Sequence, residues 1–222
     1  MRHSTRQVMV GDVPIGAGAP ITVQSMTNTD TRDSAATTEQ IEALASAGCD
    51  IVRVAVPDQQ AASALESIVA HSPVPVVADI HFDHRLALEA LRAGVHKLRL
   101  NPGNIGSEAK VLEVVKAAQE RQVPIRIGVN SGSVSKPLLE RYGRTATAMV
   151  ESALEHIAIF ERLNFHDIVV SLKATDIDMT VEAYEELSRR VSYPTHLGIT
   201  EAGTKWFGTV KSAAGLGALL SR

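Results

Sequence analysis

The sequence predicts an α/β fold, a TIM-type (β/α)₈ barrel of which seven βα units are visible. Short runs rich in β-branched residues alternate with longer segments whose apolar residues recur every three or four positions, and each pair takes about 25 to 30 residues. Regular alternation of strand and helix indicates a parallel sheet. The evenness of the repeat favours a closed barrel over a doubly wound open sheet.

The elements follow one another in a simple order. A hairpin around Gly11 and Asp12 comes first, and seven strands are predicted after it. They are ITVQSMT (21–27), DIVRVAVP (50–57), PVVADIH (75–81), HKLRLNP (96–102), PIRIGVN (124–130), DIVVSLKA (167–174) and PTHLGIT (194–200). Amphipathic helices include 37–48, 107–122, 145–163 and, after strand seven, 209–222. Ser107 is a predicted N-cap, and Gly48 and Gly94 stand where left-handed C-caps belong.

We therefore expect one barrel domain over residues 1–222 that stops before strand eight. Either another segment closes the barrel, or this chain is the front part of a longer protein, and we favour the second interpretation. The chain has 222 residues, of which 45% are hydrophobic and 21% charged, so it can bury a full core.

Composition also narrows the function. A net charge of -3 with 4% aromatic residues provides no basic face or stacking platform, so nucleic acid is not an expected partner. No apolar run approaches the roughly 20 residues of a membrane span, and the polar start lacks the apolar segment of a signal peptide. We expect a cytoplasmic protein. The single cysteine, Cys49, excludes an internal disulfide and leaves a multi-thiolate metal site without enough ligands.

The run KLRLNPGNIG (97–106) suggests where the chemistry lies. In a parallel barrel the outer strand face packs under the helices and is apolar, so alternation directs Leu98 and Leu100 outward and Lys97, Arg99 and Asn101 inward. The same sorting directs other polar side chains into or above the interior. They are Arg53, Asp79, His81, Arg126, Asn130, Ser171, Lys173 and His196.

This interior has too many cations for its carboxylates. An unpaired buried charge costs several kcal/mol, and an opposite charge at 4 Å returns roughly 4 kcal/mol at an effective dielectric constant near 20. Internal salt bridges could explain any one of Arg53, Arg99, Arg126 and Lys173, but acidic partners are too few for all four. We therefore expect a ligand with several negative charges at the carboxyl ends of the strands. Lys97 is left out of this site, because it begins its strand and could reach the opposite rim.

Other residues near the strand ends have two interpretations each. Asn101 to Asn104 could be an ordinary turn or could offer N–H groups to an oxyanion beside the helix that begins at Ser107. Asp79 and His81, two apart on one strand, could be structural or could handle a proton. Glu201, at the rim after strand seven, could likewise be structural or could exchange a proton with a substrate hydroxyl. Trp206 and Phe207 are expected to be packing anchors or interface residues.

Eight motifs carry a resemblance to a known family. In order they are VGDVPIG, PITVQSMTNT, DIVRVAVP, VADIHFD, LRLNPGNIG, PIRIGVNSGS, SLKATD and HLGITEAG. With this order and spacing the chain resembles 4-hydroxy-3-methylbut-2-enyl diphosphate synthase, an iron-sulfur enzyme of the methylerythritol phosphate route to isoprenoids. The resemblance runs from about residue 3 to residue 222.

The resemblance implies an oxidoreductase. Two electrons convert 2-C-methyl-D-erythritol 2,4-cyclodiphosphate, with loss of a hydroxyl as water, to (E)-4-hydroxy-3-methylbut-2-enyl diphosphate. The barrel would hold the diphosphate, a [4Fe-4S] cluster on a separate C-terminal domain would meet the substrate carbons, and flavodoxin or ferredoxin would donate electrons to a homodimer.

Residue roles follow from the matched motifs. The diphosphate clamp would consist of Arg53, Arg99, Asn101, Arg126, Asn130 and Lys173. Gln24, Ser25 and Met26 would line the floor of the site. Asp79 and His81 would orient the substrate and the clamp, and Glu201 would donate a proton near the departing hydroxyl.

The sequence departs from the family in what it lacks. The family's cluster ligands are three cysteines and one glutamate of the C-terminal domain, and that segment is absent here, as is the eighth strand. Cys49 does not replace them, because it precedes strand two at the N-terminal rim. A cluster-free phospholigand-binding module therefore stays open as an alternative. Another phosphate-using barrel enzyme, such as a pterin synthase-like protein, shares the architecture but lacks support from ADIHF and ITEAG.

Overall fold

The fold is a curled parallel sheet with helices on its outer face, seen in a computed structural model that describes residues 3–221. The sheet has six strands in the order β3-β4-β5-β6-β7-β8, each parallel to its neighbour. The strands are β3 Gln24–Met26, β4 Ile51–Ala55, β5 Val76–Asp79, β6 Lys97–Leu100, β7 Ile125–Asn130 and β8 Ile168–Lys173. The α/β class and the barrel-type arrangement are confirmed.

Helices connect consecutive strands and cover the outer face of the sheet. They are α1 Ser34–Ser46, α2 Gln59–His71, α3 His84–Arg92, the short α4 Pro102–Ile105, α5 Glu108–Glu120, α6 Lys136–Tyr142, α7 Ala146–Arg162, α8 Ile177–Arg190 and α9 Lys205–Leu220. Aspartate side chains cap α1, α2, α3 and α8 by accepting from backbone N–H groups of the first turn. Gly48 and Gly94 follow α1 and α3 at φ of 92° and 85°, which confirms the predicted left-handed caps.

Strand alternation divides the side chains between two environments. Leu98 and Leu100 are 0% and 1% exposed and belong to the large apolar core between sheet and helices. The side chains of β7 alternate in the same way, and Ile125, Ile127 and Val129 belong to the same apolar core. The inner strand face therefore carries the polar set.

A two-stranded antiparallel hairpin packs against the N-terminal end of the sheet. It consists of β1 Gln7–Val10 and β2 Val13–Gly16, and it confirms the turn predicted at Gly11. Val10 is fully buried and packs with Ile51 and Val77, the innermost apolar residues of β4 and β5. The hairpin therefore forms an apolar plug below the polar interior.

The main difference between the predicted and the observed fold concerns the seventh predicted strand. Residues 194–200 lie beside β8, where Val170 and Thr195 form one isolated parallel bridge and the N–H of His196 donates to the Val170 carbonyl at 2.8 Å. A ladder does not continue beyond this point in the described chain, so the prediction of a regular strand is wrong although its position is right. An edge segment has hydrogen-bonding neighbours on one side only, which explains its weaker pairing.

The last helix, α9, begins at Lys205, four residues before the predicted start at 209. It packs on α8 through Gly215, which is buried. Among the described residues, no helix has the length and apolar character to cross a bilayer.

Candidate anion-binding site

A cluster of basic side chains occupies the inner face of the sheet. β4 contributes Arg53, β6 contributes Lys97 and Arg99, β7 contributes Arg126, and β8 contributes Lys173. These five cations face one carboxylate, Asp79 of β5, within the described inner face of β3 to β8. The arrangement is that of a site for negative charge at the carboxyl ends of the strands, where parallel barrels hold their ligands.

Asp79 is the centre of the paired part of the cluster. Arg99 Nη1 donates to its Oδ1 at 2.9 Å, Arg53 Nε lies 3.5 Å from its Oδ2, and His81 Nε2 lies 3.6 Å from the same oxygen. Burial alone would raise the pKa of Asp79, but the interactions with His81, Arg99 and Arg53 outweigh it and hold that pKa well below its usual range. This carboxylate therefore stays ionised and orients two arginines.

Arg126 belongs to the part of the basic cluster that has no carboxylate partner. The residue is 1% exposed, and its Nη1 donates to Ser171 Oγ at 3.2 Å. Its Nε and Nη2 are buried and have no hydrogen-bond partner among the described residues, and the same is true of Nε of Arg99. Burial lowers the pKa of Arg126 to about 9, with a further contribution from Arg53 and Arg99, so the guanidinium remains charged at neutral pH.

Two glycines make room for the cation side chains. A Cβ on Gly128 of β7 would lie 2.8 Å from Arg99 Nε, and a Cβ on Gly198 would lie 2.8 Å from Lys173 Nζ. Sequence analysis missed both positions. An isolated glycine inside a strand pattern, as in IRIGVN, is the signal that marks such a close approach.

Lys97 lies inside the barrel, contrary to the expectation that it could reach the opposite rim. It is 0% exposed, and its Nζ donates to Gln24 Oε1 of β3 at 3.1 Å. Burial, Arg126 and Arg53 together lower its pKa to about 7. Alternation with Arg99 was the available signal for this inward position.

Strand β3 lines one side of the interior through alternate residues. Gln24 contacts Lys97, and Met26 Sδ lies 2.8 Å from Nη2 of Arg53. Ser25 has the opposite orientation, because it is in register with Val52, which packs under the helices. The inner surface at this level is thus supplied by Gln24 and Met26.

The remaining predicted residues lie at the mouth. Asn101 directly follows β6 and is 3% exposed. Asn130 ends β7 in register with Lys173 at the end of β8. His81 is about half exposed, and Glu201 is exposed, with a left-handed φ of 49°, one residue after Thr200, whose N–H donates to the Ala174 carbonyl at 3.3 Å. The structure thus brings the ends of β5 to β8 and the 200–201 loop to the same edge.

The loops around the mouth modify two further expectations. Residues 102–105 form the short helix α4, and α5 begins at Glu108 with Ser107 as its N-cap residue, but the Ser107 side chain makes no capping hydrogen bond. Trp206 and Phe207 are 81% and 77% exposed, so they are not packing anchors within the described chain. The alternative of an interface role stays a prediction.

Two other basic groups complete the electrostatics. Burial and the charges of Arg126, Arg53 and Arg99 lower the pKa of Lys173 to about 7. His196, an inward residue to which sequence analysis gave no role, has its pKa held well below its usual range by burial and by Arg126 and Lys173. The pKa values of Lys173 and His196 are thus lowered first by burial and then by the neighbouring positive charges.

The described residues do not fit an iron-sulfur cluster. Among them, no group of three or more His, Cys, Asp or Glu side chains is arranged to hold a metal ion. Cys49 is 7% exposed, and its Sγ donates to the Ile51 carbonyl at 3.0 Å at the N-terminal end of β4, the far end from the cation cluster. Its environment is that of a packed structural thiol.

Comparison with known families gives one match over nearly the whole chain. The family model described as the GcpE TIM-barrel domain matches residues 5–222. A curated protein of Magnetococcus marinus, named 4-hydroxy-3-methylbut-2-en-1-yl diphosphate synthase (flavodoxin), is 63% identical over 221 residues, or 99% of this chain and 60% of that protein. A protein of the same name from Geobacter sulfurreducens is 61% identical over 222 residues, or 100% of this chain and 63% of that protein. This chain therefore spans about 60% of the length of these relatives.

Solved structures with much lower identity share the fold. The 3-dehydroquinate dehydratase of Geobacillus kaustophilus superposes with a TM-score of 0.67 at 13% identity, covering 97% of this chain and 85% of that one. The 7,8-dihydropteroate synthase of Vibrio fischeri gives a TM-score of 0.55 at 13% identity, covering 83% of this chain and 72% of that one. At such identities the likeness extends to the architecture alone.

Proposed function

Because this chain belongs to the family of the GcpE TIM-barrel domain, we propose that it is the substrate-binding barrel of a 4-hydroxy-3-methylbut-2-en-1-yl diphosphate synthase. Its ligand is 2-C-methyl-D-erythritol 2,4-cyclodiphosphate. The whole enzyme opens this ring by a two-electron reductive dehydroxylation to (E)-4-hydroxy-3-methylbut-2-enyl diphosphate.

The buried, partly unpaired guanidinium of Arg126 is the observation that carries the proposal. Burying a cation without its full set of acceptors costs several kcal/mol, and a sequence retains such a group where a ligand supplies the acceptors. Nε and Nη2 of Arg126 and Nε of Arg99 together offer three such donors. A diphosphate offers several negatively charged oxygens, and a planar, positively charged guanidinium can pair with two of them at once.

The proposed roles follow the positions of the side chains. The diphosphate clamp consists of Arg53, Arg99, Asn101, Arg126, Asn130 and Lys173. Asp79 holds Arg53 and Arg99 in orientation, and His81 extends this network toward the mouth. Gln24 and Met26 support the cluster from β3, with Ser25 between them. Glu201, exposed beside the end of β8, donates the proton to the departing hydroxyl.

The electron-transfer half of the reaction lies outside these residues. A reductive step requires a redox centre, which the family supplies as a [4Fe-4S] cluster, and this chain's residues bind, orient and protonate the substrate. The names of the relatives from Magnetococcus marinus and Geobacter sulfurreducens include flavodoxin. We propose flavodoxin as the electron donor here, a cytoplasmic location, and a homodimer in which cluster and barrel meet.

The test of ligand binding is a calorimetric titration of this chain with the cyclodiphosphate. Arg99→Ala is expected to weaken binding by about 2 to 4 kcal/mol, or about 30- to 700-fold, because it removes a charged partner of a buried anion. Arg92→Ala is the matched control: it removes the same charge from the last turn of α3, where Arg92 pairs with Glu89, and leaves affinity unchanged. An unchanged dissociation constant for Arg99→Ala would remove this residue from the clamp.

The role of Glu201 is tested in a longer protein that contains the cluster domain. Glu201→Gln is expected to retain substrate binding and lose turnover, because the amide keeps the shape of the side chain but cannot donate the proton. Collapse of binding in this variant would instead make Glu201 a structural residue. Binding of the cyclodiphosphate without turnover in an intact longer protein would favour the cluster-free phospholigand-binding module.

A further inference from the structure

Lys97 is a fully buried cation of the cluster, and the proposed clamp leaves it without a role. It begins β6 two residues before Arg99, which places its Cα about 7 Å nearer the N-terminal end of the barrel. The side chain is 0% exposed. Lys97 therefore lies below Arg99, and the charges of Arg126 and Arg53 act on it.

The groups around Lys97 come from every strand of the sheet. β3 supplies the neutral Gln24, whose Oε1 accepts from Nζ at 3.1 Å. The charged or titratable groups on the other elements are Arg53 on β4, Asp79 on β5, Arg99 on β6, Arg126 on β7, Lys173 on β8 and His196 beside β8. Asp79 is committed to Arg99 and Arg53, and among the described residues no carboxylate forms an ion pair with Lys97.

Lysine differs from the arginines around it in one decisive property. A buried ammonium group can release its proton and remain a hydrogen-bonding amine, whereas a guanidinium keeps its charge. Without a ligand, the interior can lower its electrostatic energy by leaving Lys97 uncharged while Gln24 still accepts a hydrogen bond from the amine. With a bound anion the local potential reverses, and the ammonium form becomes favourable.

We propose that Lys97 is a positioning residue of the anion site, uncharged in the ligand-free barrel and protonated when a diphosphate binds to the arginines above it. The proton comes from the solvent buffer and forms the additional N–H bond at Nζ, with no change in oxidation state. The inference rests on the proposed function, because it requires this site to bind a diphosphate.

The surroundings of Lys97 support this behaviour. Burial, then Arg126 and Arg53, lower the pKa of Lys97 to about 7, well below that of an unperturbed lysine. Lys173 is affected in the same sense, but it ends β8 beside Asn130 at the mouth, where direct contact with the ligand is expected. Lys97 instead acts on the bound anion without direct contact, through its charge and through its hydrogen bond to Gln24.

The inference is tested by titrating the chain with the cyclodiphosphate in buffers of different ionisation enthalpy at pH 8. The difference between buffers gives the number of protons taken up per ligand. A cyclic diphosphate is a suitable probe, because each phosphorus carries one strongly acidic oxygen and lacks the second ionisation that phosphate monoesters have near pH 6. At pH 8 a lysine with a pKa of about 7 is about 90% neutral, so Lys97 contributes up to about 0.9 of a proton.

Two variants separate Lys97 from its neighbours. Lys97→Met keeps most of the length of the side chain, cannot take up a proton, and is expected to lower the uptake by at least about half a proton. Above pH 7 the affinity of the wild type should decline as the pH rises. The affinity of Lys97→Met should decline less, and the difference is up to about tenfold for each pH unit. Lys173→Met is the matched comparison: it lowers uptake too, but loses affinity at all pH values, since Lys173 is part of the clamp.

The outcomes are distinct. Binding with the same proton uptake in the wild type and in Lys97→Met overturns the inference and leaves the proposed function standing. No binding of the cyclodiphosphate by the wild type overturns both. Should Lys97→Met fail to fold, Lys173→Met decides, because Lys97 is then the remaining lysine of the cluster: no proton uptake at pH 8 when this variant binds the cyclodiphosphate overturns the inference.

Discussion

At the scale of single residues, the site is built from groups that stability alone does not explain. Arg126 is 1% exposed and leaves two of its nitrogens without partners among the described residues. A buried ion that is incompletely paired lowers the free energy of unfolding, and apolar replacements of similar size are often neutral or stabilising. Natural proteins retain such groups where function requires them.

Arg126→Met provides a test of this conflict between stability and binding. We expect the variant to raise the free energy of unfolding of the ligand-free chain by about 1 to 3 kcal/mol, because it removes a desolvated charge and its apolar side chain still fills the part of the site that holds the stem of Arg126. The same variant should lose measurable cyclodiphosphate binding. Urea unfolding and calorimetry measure the two effects.

Arg92→Met serves as control for Arg126→Met, because Arg92 is exposed on α3 and should change the free energy of unfolding by less than about 0.5 kcal/mol. If Arg126→Met destabilised the chain strongly, the guanidinium would have a structural role that its contacts do not reveal. The conflict between stability and binding would then be absent.

At the scale of elements, α9 differs from the other long helices in what it leaves uncovered. Trp206, Val210 and Leu220 are 81%, 63% and 52% exposed, and their spacing places them within about 80° of one another around the helix axis. Gly215, on the opposite side, is buried against Ile199 and Ile177. The helix therefore packs by one narrow face and presents an apolar face to the solvent.

Trp206 reports on this face, because it is the one tryptophan in the sequence. We expect the fluorescence of the chain to resemble that of a hydrated indole and to be quenched efficiently by iodide. Trp206→Ala should change the free energy of unfolding by less than about 0.5 kcal/mol, as an exposed position implies. Phe207→Ala is the matched variant, since Phe207 is 77% exposed on the same turn. A blue-shifted spectrum would show that another surface covers α9.

At the scale of the whole molecule, buried bases decide how stability depends on pH. Burial lowers the pKa of His156 in α7 to about 4, against an unperturbed 6.5, and its Nδ1 has no hydrogen-bond partner in the described part of the chain. His196 is shifted in the same direction. Both rings are therefore neutral in the folded protein at pH values where the unfolded chain protonates them.

This difference predicts a loss of stability in mild acid. Because the folded pKa of His156 lies below the unfolded value, the unfolded state binds more protons between pH 6.5 and pH 4, and the free energy of unfolding falls over this window as the pH decreases. The contribution of His156 is about 3 kcal/mol at most. Urea unfolding at several pH values measures the slope.

His156→Leu isolates the contribution of this residue. The variant removes the titrating ring and its buried nitrogen, so the slope between pH 6.5 and pH 4 should decrease. His71→Leu is a suitable control, since His71 lies in the last turn of α2, where it is exposed. An equal slope in wild type and His156→Leu would mean that other groups dominate the acid response.

Much of the fold follows from local patterns in the sequence. The alternation in 97–100 placed Leu98 and Leu100 in the outer core and Arg99 in the interior, because successive strand residues point to opposite faces. Gly11, Gly48 and Gly94 marked a turn and two helix ends through the backbone conformations that glycine permits. The excess of inward cations was visible in the same way.

Tertiary structure decided the pairing and depth of these groups. Alternation gives the face of a residue but neither its partner nor its distance from solvent. The pairing of Asp79 with Arg53 and Arg99 depends on the curvature of the sheet, and so does the hydrogen bond between Lys97 and Gln24. The orientation of Ser25 depended on the register of β3 with β4, and the single bridge at Thr195 depended on its place at the sheet edge. Sequence thus determined which residues face inward, and packing determined which of those charges remain unpaired, because pairing depends on distances between strands far apart in the chain.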